Sequence, residues 1–162
     1  MTTTDVIEKR VLLKAPIERV WQAIGDSAEF GRWFGARFAE PFRAGRHIQA
    51  TIVPTEVDPE VAAKQEGYSD VSFDIEVVRI EPGRHLSFRW QPSMPEDGEE
   101  IPADETTLVS FDLEEVPEGT MLTIRESGFD SIPLARRARA FESNAEGWEV
   151  QATLIAKYLE RR

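Results

Sequence analysis

The sequence predicts an α+β domain in which a curved antiparallel sheet of about six or seven strands wraps around a long C-terminal helix. One strand pattern comes first and two short helical patterns follow it. Further strand patterns then succeed one another with turn residues between them, and the chain from about Ile132 onward is one amphipathic helix. Consecutive strands joined by tight turns pair antiparallel. A long amphipathic helix has to bury its apolar face, here against the sheet.

The beginning of the chain predicts one strand and two short helices. Residues 5–14 are rich in Val and Leu, which is typical of a strand. Pro16 suits the first turn of a helix, in which apolar residues then recur at helical spacing. Asp26 or Ser27 can cap the second helix, and Gly35 ends it.

The middle of the chain predicts the remaining strands. Apolar side chains alternate with polar ones in residues 48–52, 71–77, 86–90, 109–113 and 122–126. The alternation changes phase at Val78, which predicts a β-bulge. Residues 54–70 predict an acidic connection with a helical turn over residues 59–65, and residues 91–106 predict a polar, mobile loop.

The last helix carries one continuous apolar stripe. Its members recur three and four residues apart and are Ala138, Phe141, Ala145, Trp148, Ala152, Ile155 and Leu159. Gly147 interrupts this helix, and a glycine there predicts the close approach of a packed neighbour. We expect one domain over residues 1–162, because neither an internal repeat nor a second set of elements is visible.

Charge and composition exclude several classes of function. The net charge of −11 argues against a nucleic-acid partner, since such proteins need a basic surface, and against stable association with anionic membranes. The short basic cluster of Arg136, Arg137 and Arg139 is interpreted as a solvated helix face. The chain has no cysteine, no signal pattern at its start and no apolar run long enough for a membrane span, so we expect a cytoplasmic location.

Sequence motifs for catalysis, metals and cofactors are missing. There is no nucleophile elbow, Walker motif or dinucleotide-binding glycine pattern. The two histidines, His47 and His85, lack zinc-site spacing and are expected to be solvated. The acidic residues 96–100 lack the alternating ligands of a calcium loop. We therefore expect neither a metal nor a cofactor.

Large side chains at core-facing positions are the clearest functional signal. The candidates for lining a ligand cavity are Trp21, Trp33, Phe73, Phe88, Trp90, Phe111, Glu126, Phe141, Asn144 and Trp148. Aromatic walls with a few polar groups are typical of small-molecule sites. Ordinary core packing is the alternative explanation for each ring.

Glu126 is the one candidate for a catalytic group. It shares strand parity with apolar neighbours that point inward, and a buried carboxylate requires partners. Arg89 and Arg125 are the possible partners, although both face outward by parity. A surface carboxylate at a twisted strand end is the alternative. Asn144 and Gln151 are expected at the edge of the apolar stripe of the last helix.

The order of elements and several motifs resemble a known family. The residues that carry the likeness are Ala15-Pro16 with Val20-Trp21, Arg32-Trp33-Phe34, residues 82–90 (PGRHLSFRW), residues 120–129 (TMLTIRESGF), and Asn144 with Gly147-Trp148. Together they resemble the START-like (SRPBCC, Bet v 1-like) superfamily, which has the helix-grip fold. Within it they resemble the branch related to the activator of the heat-shock-protein ATPase (AHSA-type).

This resemblance implies three functional hypotheses. The first is binding of a small hydrophobic molecule, lipid, sterol or polyketide-like, in an apolar cavity between the sheet and the last helix, in a role linked to stress response. The second is a cyclase- or hydrolase-like enzyme that uses the same cavity with Glu126 as acid or base. The third is a co-chaperone that contacts a heat-shock ATPase. An exposed edge strand would permit a homodimer.

Overall fold

The computed structural model, which describes residues 5–92 and 100–160, contains one seven-stranded antiparallel sheet and four α-helices. The strands are β1 (Val6–Leu13), β2 (Ala36–Phe38), β3 (His47–Ile52), β4 (Ser72–Glu81), β5 (His85–Trp90), β6 (Thr107–Val116) and β7 (Gly119–Ser127). The helices are α1 (Ile17–Gly25), α2 (Ser27–Phe34), α3 (Pro59–Gln65) and α4 (Leu134–Glu160). The sheet order is β1-β7-β6-β5-β4-β3-β2. The predicted fold class is confirmed.

The two helices after β1 begin and end where the sequence predicts. Asp26 is the N-cap of α2, and its carboxylate accepts hydrogen bonds from the backbone N–H groups of Ala28 and Glu29 at 2.9 and 3.1 Å. Gly35 ends the helix in the left-handed region with φ 96°. The chain then enters β2, a three-residue edge strand that the sequence does not predict. A strand this short has too few side chains to show alternation.

Strand β4 contains the predicted bulge. Its pairing with β5 shifts register between Val77 and Arg79, and Val78 is 45% exposed. The predicted helical turn over residues 59–65 is confirmed as α3. Residues 93–99 of the predicted loop, and with them most of the acidic run at residues 96–100, lie outside the described residues.

Helix α4 presents a different face to the sheet from the one predicted. Its buried residues are Ala140, Trp148, Leu154, Ile155 and Tyr158. Ala138 is exposed, whereas the polar Asn144 and Gln151 are half-buried and contact the interior. The face is therefore rotated about the helix axis so that both amides lie along its middle. The apolar pattern could not reveal this, because the amides replace apolar side chains on the buried face.

His85 is buried, and the expectation of a solvated histidine is wrong at this position. Its side chain is only 11% exposed, and its Nδ1 lies 2.7 Å from Asp112 Oδ1 on the neighbouring strand β6. The two residues are register partners, so the contact follows from the strand pairing. His47 is exposed as expected, and its Nε2 lies 3.3 Å from Glu76.

The described part of the chain holds no helix with the length and the hydropathy that crossing a membrane requires. The cytoplasmic location stays a prediction.

Candidate functional site

Glu126 lies near the end of β7 and is fully buried, with no exposed surface. It lies on the same face of the strand as Leu122 and Ile124, so its side chain points toward the interior. There, β5, β6 and α4 meet around it. The alternative of a surface carboxylate is therefore wrong.

Four side chains donate hydrogen bonds to this carboxylate. Trp148 Nε1 lies 2.8 Å from Oε1, and Trp90 Nε1 lies 2.9 Å from Oε2. Thr107 Oγ1 lies 2.5 Å from Oε2. Asn144 Nδ2 lies 2.9 and 3.1 Å from the two oxygens. The indole and amide nitrogens can only donate, so the arrangement fits an ionised carboxylate, which only accepts.

The partners of Glu126 differ from the arginines considered from sequence. Arg125 lies on the other face of β7 and reaches Glu8 at 3.6 Å, and Arg89 is exposed. Neutral donors from three elements take the place of a cation. Hydrogen bonds to a charged group are worth more than neutral ones, about 1.5–3 kcal/mol each, so this cluster holds α4 to the sheet.

The two indoles that share Glu126 also stack on each other. The rings of Trp90 and Trp148 have centroids 5.6 Å apart and an interplanar angle of 28°. Phe34 of α2 lies 6.1 Å from each of them. Glu126 thus fixes the orientation of two rings that are also in contact with Phe34.

A small cavity lies beside these rings. Its volume is about 100 Å³, and it is lined by Phe34, Trp90, Asn144, Gly147, Trp148 and Gln151. We call it the indole cavity. Gly147 is exposed, and a Cβ placed on it would meet no atom within 4 Å. The expected close neighbour of Gly147 is therefore absent among the described residues, and the glycine instead leaves the helix surface open beside the cavity.

The predicted site residues form three groups, which differ in their distance from the indole cavity. Trp90, Asn144 and Trp148 line it, and Glu126 contacts all three. Three further rings form the layer around the indoles: Phe73 at 6.1 Å and Phe88 at 5.4 Å from Trp90, and Phe111 at 5.8 Å from Trp148.

The other three predicted residues lie elsewhere. Trp21 is half-buried on α1, where it covers Gly25. Trp33 donates to the carbonyl of Ala23 at 2.9 Å, and Phe141 packs against Phe129. They belong to the packing between helices and loops. The helical spacing of apolar residues cannot distinguish these three positions from those of the cavity wall, because the residues of both groups are apolar and point inward.

Three residues of the wall, Phe34, Gly147 and Gln151, are missing from the predicted site residues. Gln151 Nε2 donates to the backbone carbonyl of Phe34 at 3.0 Å, and so does Gln65 Nε2 at 3.2 Å. Phe34 is the last residue of α2, where helix carbonyls lack partners within the helix. A half-buried glutamine opposite a helix end is the one signal that could have indicated Gln151, and recognising it requires knowledge of how the helices pack.

Polar contacts at both ends of α4 fix its position. Near its start, Arg136 makes a two-pronged pair with the buried Glu105, at 3.1 and 2.6 Å. Near its end, Tyr158 donates to Glu29 at 2.7 Å, and Lys157 pairs with Asp58. The helix is thus held on both sides of the indole cavity.

Asp58 also caps α3, and its contacts alter its titration. The hydrogen bond from Lys157, together with those from the backbone N–H groups of Val61 and Glu60, holds the pKa of Asp58 below its ordinary value of 3.8. Within residues 5–92 and 100–160, no group of three or more His, Asp or Glu side chains is placed to hold a metal ion.

The sheet gripping a long C-terminal helix over a ring-lined interior defines a START-like domain of the SRPBCC superfamily. A family model described as "Activator of Hsp90 ATPase homolog 1-like protein" matches residues 14–160, and the chain belongs to this family. No functionally curated protein matches the chain significantly.

Solved structures share the fold over nearly the whole chain. DynU16, from the dynemicin biosynthetic locus, is 26% identical with a TM-score of 0.66 over 96% of this chain and 47% of its own, so this chain spans about half of DynU16. A protein from Mesorhizobium loti is 20% identical with a TM-score of 0.70, over 96% and 97% of the two chains. One from Arthrobacter aurescens is 19% identical with a TM-score of 0.72, over 99% and 90%.

Proposed function

We propose that this protein binds a small hydrophobic molecule in the indole cavity. The observation that carries the proposal is the pairing of a cavity, open beside Gly147, with two indoles held in fixed orientation by a buried carboxylate. Rings positioned in advance lower the entropy lost on binding, since the protein does not have to order them around the ligand. The family supports the same function, because SRPBCC domains commonly bind hydrophobic ligands.

The size of the cavity restricts the ligand. Typical ligand sites enclose about 300–1,000 Å³, whereas a space of about 150 Å³ is known to hold one benzene ring. The indole cavity, at about 100 Å³, is smaller than that space, so it takes at most one ring, part of which extends through the open side beside Gly147. A lipid, sterol or polyketide-like molecule would require α4 to move away from Trp90, which would break the hydrogen bonds from Trp148 and Asn144 to Glu126.

The enzyme hypothesis receives less support. Both oxygens of Glu126 are engaged by donors, and the residue does not itself line the cavity. A general acid or base has to reach the proton that it transfers. Glu126 is better explained as a positioning residue. The family name is the only support for the co-chaperone hypothesis and for a role in stress response. The homodimer stays a prediction.

A blocking variant tests the binding proposal. A Cβ added at position 147 would meet no atom within 4 Å, so Gly147→Leu places a large side chain at the rim of the cavity and should weaken binding of phenol at least tenfold in calorimetric titration. Gly67→Leu is the matched control, because Gly67 is also exposed, with no atom within 4 Å of an added Cβ, and lies in the short turn after α3. Equal affinity of the two variants for phenol would contradict the proposal. Absence of a binding signal from the wild-type protein with all three of phenol, cholesterol and palmitate would contradict it as well.

A further inference from the structure

The sheet has one long open edge. Strand β1 lies at one end of the sheet and pairs along its whole length with β7, and no described strand pairs with its other side. The opposite edge is formed by β2, which has only three residues. Proteins commonly blunt open edges with a proline, a bulge or a very short strand. β1 has none of these features, because its sequence VIEKRVLL contains no proline and its register with β7 is continuous.

Four residues of β1 present their backbone N–H and C=O groups at the open edge. The carbonyl oxygen of Asp5 accepts a hydrogen bond from the N–H of Phe129, just after β7. The carbonyl oxygen of Leu13 lies against Gly119, at the start of β7. These two odd-numbered residues thus point their carbonyls at β7, and successive residues of a strand point them in opposite directions. The groups at the open edge therefore belong to the even-numbered residues, which are Val6, Glu8, Arg10 and Leu12.

The side chains of these four residues are complementary to themselves in reverse order. Two copies of β1 that pair antiparallel about a two-fold axis at Lys9 place Glu8 of each copy opposite Arg10 of the other. The same register places Val6 opposite Leu12, which is one of the exposed large apolar side chains of the protein, at 36%. Opposite charges and apolar pairs directly across two strands are the contacts that stabilise a sheet.

The neighbouring registers lack this complementarity. Paired residues have to lie on the same face of the sheet, so the axis can move only to Glu8 or to Arg10. Either move places two like charges directly opposite each other at the axis and removes the pairing of glutamate with arginine. The axis at Lys9 brings two lysines together, but each has its own counter-charge, because Lys9 Nζ lies 3.9 Å from Glu149 Oε2 on α4.

The space beside the open edge can accept a strand. A groove of about 520 Å³ lies between β1 and the second half of α4. Small side chains form part of its helical wall, namely those of Ala152, Thr153 and Ala156. A second strand can therefore approach β1 without meeting bulky groups from this part of the helix.

We propose that two copies of this protein associate through β1, antiparallel and with the two-fold axis at Lys9, so that their seven-stranded sheets form one continuous sheet. The proposal adds the strand, the register and the charge pairs to the homodimer expected from the sequence. It does not depend on the indole cavity or on its ligand.

Charge-reversal variants test this register. Sedimentation equilibrium of the full chain should show a dimer in about 0.15 M salt, which screens the repulsion between two chains of net charge −11. Glu8→Arg places arginines opposite each other, and Arg10→Glu places glutamates opposite each other. Each variant alone should therefore have a dissociation constant at least about tenfold higher. Mixing the two variants restores opposite charges at both pairs, so the mixture should form a heterodimer with about the wild-type dissociation constant.

Asp74→Arg is the matched control and should dimerise like the wild-type protein. Asp74 is exposed on β4, which lies four strands away from β1 in the sheet. Thermal melts establish that the variants are folded, which matters for Glu8→Arg because Glu8 also lies 3.6 Å from Arg125.

Three results would overturn the proposal. A wild-type chain that stays monomeric up to about 1 mM would leave the open edge to a strand of another protein. Single variants that dimerise as tightly as the wild-type protein would place the dimer contact on another surface. A mixture of the two variants that stays monomeric would contradict the register.

Discussion

Trp90 and Trp148 donate their indole N–H groups to opposite oxygens of Glu126 while their rings stack on each other. One indole comes from the sheet and the other from the last helix. A single buried carboxylate therefore joins the two layers of the fold and orients two walls of the indole cavity. This relationship makes the stability of the domain and the shape of the cavity depend on one residue.

Removing the charge of Glu126 should destabilise the domain. Glu126→Gln replaces one oxygen by an amide nitrogen that faces N–H donors and cannot accept from them. We expect the free energy of unfolding, measured by urea denaturation, to fall by about 2–4 kcal/mol. Glu114→Gln, at an exposed position of β6, should change it by less than about 0.5 kcal/mol. Equal stabilities of the two variants would contradict the role assigned to Glu126.

The hydroxyl of Thr107 should account for a separable part of this stability. Thr107→Val keeps the shape and removes the donor to Glu126 Oε2, so we expect a loss of about 1.5–3 kcal/mol in urea denaturation. Thr107→Ser keeps the hydroxyl and loses a methyl group, which costs about 0.8 kcal/mol. If the serine variant were less stable than the valine variant, packing rather than hydrogen bonding would explain Thr107.

Two helical glycines should respond to alanine with opposite signs. Gly147→Ala adds a methyl group in open space and should raise the free energy of unfolding by about 0.5–1 kcal/mol, because alanine restricts the unfolded chain. Gly31→Ala should lower it, since the added Cβ would collide with the backbone oxygen of Ala36. Thermal melts measure both changes. A destabilised Gly147→Ala would show that position 147 has a close neighbour.

The ion pair of Asp58 with Lys157 should make stability depend on acid pH. The pKa of Asp58 is lower in the folded chain than its ordinary value of 3.8, so the folded state favours the ionised form. Its contribution is fully present above that value and is lost as the pH falls through the lower folded pKa. Asp58→Asn keeps a capping side chain and removes the charge.

Melting temperatures of the wild-type protein and Asp58→Asn from pH 7 to pH 2 measure this contribution. The wild-type advantage should be constant near neutrality and shrink below pH of about 4. An advantage that grows as the pH falls would contradict the sign of the shift.

Much of the fold is predictable because it depends on local patterns. Asp26 and Gly35 define helix ends through their own backbone and side-chain chemistry, and the phase change at Val78 predicts a bulge without knowledge of the partner strand. β2 is not predicted, because a strand of three residues is too short to show an alternation of apolar and polar side chains. The contact of His85 with Asp112 follows from the pairing of β5 with β6, which the sequence of β5 alone does not show.

The site is less predictable because its polar contacts join distant parts of the chain. The inward parity of Glu126 is visible along β7, but its donors come from β5, β6 and α4. Parity places Arg89 and Arg125 outward without indicating which groups pair with Glu126 instead. The rotation of α4 that brings Asn144 and Gln151 inward is invisible to a search for apolar stripes. The hydrogen bond between Gln151 and the Phe34 carbonyl requires the packing of α4 against α2.

The indole N–H signals in a ¹H–¹⁵N spectrum of the labelled protein test the binding proposal most directly. Trp90 and Trp148 report on the indole cavity and Trp21 and Trp33 on other places, and tryptophan-to-phenylalanine variants assign their signals. Titration with phenol should move the signals of Trp90 and Trp148 saturably and leave that of Trp21, which lies on α1, unchanged. Movement of Trp21 alone, or no movement of the Trp90 and Trp148 signals at any phenol concentration, would contradict a ligand site in the indole cavity.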